Sequence, residues 1–193
     1  MPCVEKFQES LIKFEVDQTL IDQINEGSEG LVSKSPKKRK AAYFQRAIDL
    51  MTAQMEPEKM QEILEWNACC KGGAREKASR AFAKEFAQAP LAEKLDNIKN
   101  VPNMGHPVLN DDGTITVHAV YFQNGDRYQC ACSNFSHLRE PVEVSRNYCF
   151  CCAGHFRHHY EIMLGVSLKT LEIISSPLDS QGKNPCVMCF AIV

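Results

Sequence analysis

The chain has 193 residues, of which 44% are hydrophobic and 24% charged, with a formal charge of -2 at pH 7. These values are ordinary for a globular protein able to build a core without staples, and they exclude a general electrostatic pull toward nucleic acid or anionic membrane. No stretch approaches about 18 consecutive apolar residues, so no membrane span is expected. The start, Met1-Pro2-Cys3-Val4-Glu5-Lys6, has neither the basic segment nor the apolar run of an export signal, which predicts a cytoplasmic protein. Ten cysteines are many for this length. In a reducing compartment they serve as small core hydrophobes, metal ligands or reactive thiols rather than as disulfides.

Residues 1–100 read as a run of amphipathic helices. Leu11 to Glu26 is weakly periodic through Leu11, Phe14, Leu20, Ile21 and Ile24, and Gly27 and Gly30 break it. Ser35-Pro36 reads as an N-cap followed by proline, opening a helix with Ala41, Phe44, Ile48, Met51 and Met55 on one face. Lys37-Lys38-Arg39-Lys40 is its basic first turn; this opposes the helix dipole and reads as a solvated junction rather than a phosphate contact. Pro57 opens a helix that Gly72-Gly73 ends, Ala78, Phe82 and Phe86 mark the next, and Pro90 to Lys99 is a short one.

The pattern changes near Val101. Asp112-Gly113 predicts a turn, Thr114 to Phe122 a strand, Asn124-Gly125 a hairpin turn, and Asp126 to Cys132 the returning strand. Phe150 to Leu164 reads as a helix stopped by Gly165, burying Phe156, Tyr160 and Met163 and leaving Arg157 and Glu161 in water. Strands follow over Leu168 to Ile174 and Cys186 to Val193. The expected fold is α+β: a helical region, 1–100, packed with a cysteine- and histidine-rich region, 101–193, whose hairpin, helix and hairpin form an antiparallel sheet, the two making one compact unit.

The candidate chemistry lies between Cys130 and His159. Cys130 and Cys132 end a strand at i and i+2 and share a face. Cys149 and Cys151 enter a helix, and His155 follows Cys151 at i+4 on the same face. Cys130, Cys132, Cys149, Cys151 and His155 are therefore candidate metal ligands, with zinc the candidate cofactor, since zinc accepts mixed thiolate and imidazole sets. The helix N-terminus would favour thiolates at Cys149 and Cys151. Buried structural thiols and a catalytic or redox thiol remain open alternatives. His158 and His159 read as a wet helix face that includes a core-packing imidazole, and Cys69-Cys70 as packing. Of Cys186 and Cys189, on opposite strand faces, at most one can join a given site.

Tyr148-Cys149-Phe150-Cys151, Gly154-His155-Phe156, Leu164-Gly165, Leu171 to Pro177, Gly182 and Pro185-Cys186 carry a further signal. On these residues the C-terminal half resembles the hydrocarbon-binding group that includes 4-vinyl reductase-type domains, closest to uncharacterised bacterial members. The resemblance implies a small apolar organic ligand held between sheet and helices, with Tyr121, Phe156, Tyr160, Met163, Met188 and Phe190 as candidate pocket walls. Some regulatory relatives carry zinc near that pocket; of their motif only Cys186 matches, and Met188 replaces an aromatic residue. The leading expectation is thus a hydrophobic-ligand-binding or sensor-like protein acting through a partner, with a homo-oligomer among its expected states. A cysteine-dependent hydrolase or thiol-transfer enzyme, with Cys149 or Cys151 attacking and His155 or His159 accepting the proton, competes with it. So does a purely structural interaction protein.

Overall fold

Backbone turns divide the N-terminal half into six helices in the computed structural model, which describes residues 3–69, 71–119, 122–138 and 142–193. Helix α1 (Val4–Lys13) buries Val4, Phe7 and Leu11 at helical spacing. It stops before Glu15, whose φ of +51° is left-handed. Helix α2 (Gln18–Asn25) then starts afresh, because the Asp17 carboxylate accepts from the amide of Thr19 at 2.8 Å. The single helix expected over 11–26 is therefore two. Helix α3 (Lys37–Gln54) begins after Pro36; the Ser35 hydroxyl accepts from Val32 N in the preceding turn and does not cap it. Helices α4 (Pro57–Trp66), α5 (Gly73–Glu85) and α6 (Leu91–Ile98) follow. The Gly72-Gly73 pair opens α5 rather than closing α4, which ends at Asn67.

The C-terminal half contributes a four-stranded antiparallel sheet in the order β1-β2-β6-β5. Strands β1 (His106–Leu109) and β2 (Ile115–His118) form a hairpin around the Asp112-Gly113 turn, and the Asp112 side chain accepts from Thr114 N at 2.9 Å. Strands β3 (Phe122–Asn124) and β4 (Arg127–Gln129) pair only with each other, so the strand expected over 114–122 is split between two sheets. Helix α7 (Phe150–Leu164) follows a 3-10 turn, Arg146–Cys149, and ends at Gly165 in the left-handed conformation. Strands β5 (Leu168–Ser175) and β6 (Val187–Ile192) complete the sheet, and β6 lies between β2 and β5.

The architecture is α+β, with 47% helix. Buried apolar side chains from both halves form one contiguous core. Helix α7 runs through it, packing on α4, α5, α6 and β5. Its phase is the expected one: Phe156, Tyr160 and Met163 are buried. Arg157 is not simply in water; it is half-buried and ion-pairs with the buried Glu65 of α4. Gly154 sets the α4–α7 spacing, since a Cβ there would stand 2.7 Å from the Glu65 carbonyl oxygen. Among the described residues, no helix is long and apolar enough to cross a membrane.

Candidate functional site: the thiols at the start of α7

Four elements bring cysteines together where α7 begins. Cys130 and Cys132 leave β4, Cys149 ends the 3-10 turn, Cys151 and Cys152 lie in the first turn of α7, and Cys186 precedes β6. All are free thiols. Cys130, Cys132, Cys149 and Cys151 all lie in this group, within electrostatic range of other sulfurs in it. Cys130 senses Cys132, Cys149 and Cys152, and Cys151 senses Cys152 and Cys132. Cys152 and Cys186 extend the group to six.

Hydrogen bonds hold the set in place. The Cys132 thiol lies 3.2 Å from the Tyr148 hydroxyl, which also accepts from Asn134 Nδ2 at 3.0 Å. Tyr148 is itself fixed edge-on between Phe44 and Phe135. The Cys149 thiol donates to the buried Ser176 hydroxyl at 3.2 Å, and that oxygen also accepts from Leu178 N. Cys149 makes a second thiol contact with Cys186.

Protonation follows from these partners. Burial, then Cys132, pushes the Cys130 thiol well up. Burial, then Cys152, pushes Cys132 up to about 11. Cys149 is raised by its hydrogen bond with Cys186 and by burial, and Cys151 by its hydrogen bond with Cys152 and by burial. The thiolates expected at Cys149 and Cys151 are thus suppressed: a thiol that donates a hydrogen bond in a dry site holds its proton. Cys152 behaves oppositely. The hydrogen bond from Cys151 brings it down to about 7, and it is only partly buried.

His155 hydrogen-bonds outside the thiol group. Its Nδ1 donates to the Cys69 carbonyl at 3.0 Å, and its ring stacks edge-on with His159 and Phe156. Burial, then the charge of His159, holds it down at about 3, so the imidazole is neutral. His159 is the core-packing imidazole of this face: it is fully buried, and its Nδ1 lies 2.9 Å from Ser79 Oγ. His158 Nε2 is 3.8 Å from the Glu76 carboxylate. Among the described residues, no three histidine, cysteine, aspartate or glutamate side chains are arranged to hold one metal ion. The sulfurs hydrogen-bond to one another, to Tyr148 and to Ser176.

A cavity of about 110 Å³ adjoins the cluster, walled by Phe135, Leu138, Val142 and Leu178, with Cys130 in its lining and Arg127 and His137 as polar groups. The close approach of Gly182 to β4 shapes one side: its φ is +83°, its carbonyl accepts from Tyr128 N at 2.9 Å, and a Cβ would meet the Tyr128 carbonyl at 2.9 Å. Phe156, Tyr160, Met163, Met188 and Phe190, the expected pocket walls, are buried in the core and do not line this cavity; Tyr121 lies outside the described residues. A larger, open groove of about 500 Å³ lies elsewhere, beside Trp66, with Glu58, Glu62 and Glu65 opposing Lys71, Arg157 and Lys169.

Spacing alone pointed to the paired cysteines but not to Tyr148, Asn134 or Ser176. Tyr148 and Ser176 stand in segments that carry the family resemblance, but nothing in the spacing marks them as partners of the sulfurs. No protein-family model matches the chain, and no curated protein or solved structure gives a significant match.

Proposed function

We propose that this chain is a small-molecule-binding protein whose ligand occupies the cavity beside Cys130. The supporting observation is the placement of a cavity of mixed lining, apolar at Phe135, Leu138, Val142 and Leu178 and polar at Arg127, Gln129, His137 and Gln181, against a cluster of buried thiols. Apolar walls with a few fixed polar groups are the usual make-up of a ligand site. A volume of about 110 Å³ is below the roughly 300 Å³ of drug-sized sites, so the ligand is small or inserts one end. The sulfurs supply polarizable contacts rather than charge. The proposal rests on the cavity and not on the hydrocarbon-binding resemblance, which no family or structural match reinforces.

Native mass spectrometry of freshly purified protein, with thermal-shift titration of small apolar compounds, tests it. A retained or added ligand that raises Tm in the natural chain, and not in Val142→Phe, is the expected result. No retained mass and no shift with any compound would sink it.

A second reading, thiol transfer, is favoured by one observation: Cys152 is brought down to about 7 by its neighbour Cys151. Iodoacetamide labelling should then rise through pH 7 at Cys152, and the rise should move to higher pH in Cys151→Ala. Labelling that starts only in the ordinary thiol range would remove this reading.

A further inference from the structure

Helix α3 carries Arg39, Ala42, Tyr43 and Arg46 at i, i+3, i+4 and i+7, so the four side chains lie on one face. The turn after α2 curls over that face. Gly27 and Gly30 both have φ of +66°, which turns the chain back through Ser28 to Leu31. The turn satisfies itself: Ser28 Oγ donates to the Asn25 carbonyl at 2.6 Å, and Leu31 N donates to the Ser28 carbonyl at 2.9 Å. Between turn and helix lies a cavity of about 170 Å³, lined by Gly27, Ser28 and Leu31 from the one and Arg39, Ala42, Tyr43 and Arg46 from the other.

The chemistry of this lining is one-sided. It holds two guanidinium groups and no carboxylate. Among the described residues, each arginine is anchored by one arm: Arg46 Nη2 donates to the Ile24 carbonyl at 2.7 Å, and Arg39 Nη2 to the Glu29 carbonyl at 3.3 Å. Arg46 Nε is buried and has no acceptor among the described residues. A buried N–H of a permanent cation is costly to leave unmatched, and a guanidinium fork fits oxyanions in pairs of parallel hydrogen bonds. The anchored arms fix both groups in advance, which lowers the entropy cost of binding.

We propose that this cavity is a binding site for a tetrahedral oxyanion, phosphate or the terminal group of a phosphomonoester. Arg46 Nε supplies the inner hydrogen bond and Arg39 the outer charge. Part of the basic run thereby gains a use: Arg39 turns toward this cavity. This site is separate from the thiol cavity, with which it shares no lining residue, so either proposal can fail alone.

Isothermal titration calorimetry in chloride buffer, with the full chain, tests it using inorganic phosphate and, separately, phosphoserine. The expected result is saturable binding of at least one, weakening as salt rises. Affinity should fall roughly tenfold or more in Arg46→Lys, which keeps the charge but loses the fork, and also in the exposed Arg39→Gln. Tighter binding of phosphoserine identifies a phosphorylated molecule as the ligand, and tighter binding of inorganic phosphate identifies the free anion. Absence of binding by both probes overturns the proposal, as does binding that Arg46→Lys and Arg39→Gln leave unchanged while far-UV circular dichroism shows both variants folded.

Discussion

Helix α7 carries a thiol end and a histidine middle, and the two differ in what surrounds them. The sulfurs of Cys149, Cys151 and Cys152 meet other thiols and hydroxyls that adjust their hydrogens. The imidazoles of His155 and His159 meet an acceptor fixed by the backbone, the Cys69 carbonyl, and a serine whose own hydroxyl is tied to Arg75 O. Burial pushes both groups toward neutrality, and so moves their pKa values in opposite directions, thiols up and imidazole down. Residues a turn or two apart on one helix therefore acquire different chemistry from their partners and not from their position.

The hardest blow to this arrangement is Gly154→Ala, between the two ends. The added methyl meets rigid backbone at Glu65, so α7 must move off α4. Overpacking of this kind costs about 3 kcal/mol, to be read from urea unfolding. A change within error would mean that the crossing yields easily and that the two clusters are not held by it. His155 tests the histidine side alone. Its folded pKa of about 3 lies below the unfolded value near 6.5, so the unfolded chain binds the proton first as pH falls. Stability from this group is complete above about pH 6.5 and is lost as pH drops toward 3, at roughly 2 kcal/mol by pH 5. His155→Gln should flatten that slope; an unchanged slope assigns the acid sensitivity to other groups. The smallest effect is expected at the thiol end. Tyr148→Phe removes the hydroxyl shared by Cys132 and Asn134, for about 1–2 kcal/mol, and should leave the acid slope of His155 in place.

Sequence patterning reached the helices where apolar residues repeat at 3 and 4, as in α3, and at the hydrophobic face of α7. It missed the break between α1 and α2, because the apolar repeat runs on through Glu15 while the Asp17 cap competes with the helix. It missed β1, a strand with a proline and only one buried residue, which has no alternation to read. At the site, the C-x-C pairs and the entry into α7 located the cluster. The direction of His155 was not legible, since a shared helix face does not reveal that α5 and Cys69 crowd one side of it. Nor was the state of Cys152, which depends on whether its neighbour's hydrogen points toward it.

The sheet order also has a consequence for the time course of folding. Strand β6 comes last in the chain order yet lies in the interior of the sheet, bonded to β2 on one side and β5 on the other. Its pairing with β2 joins residues on either side of α7, so a long loop must close before the ladder contributes any stability. During synthesis the helices α1 to α6 emerge with neighbours of their own to pack on, whereas β2 waits with one unpaired edge and β5 with both until Val187–Ile192 arrives. Cys186, just ahead of that strand, joins the thiol cluster in the same event. The final strand acts as the keystone, and a nascent chain stalled short of it exposes free sulfurs and bare strand edges together.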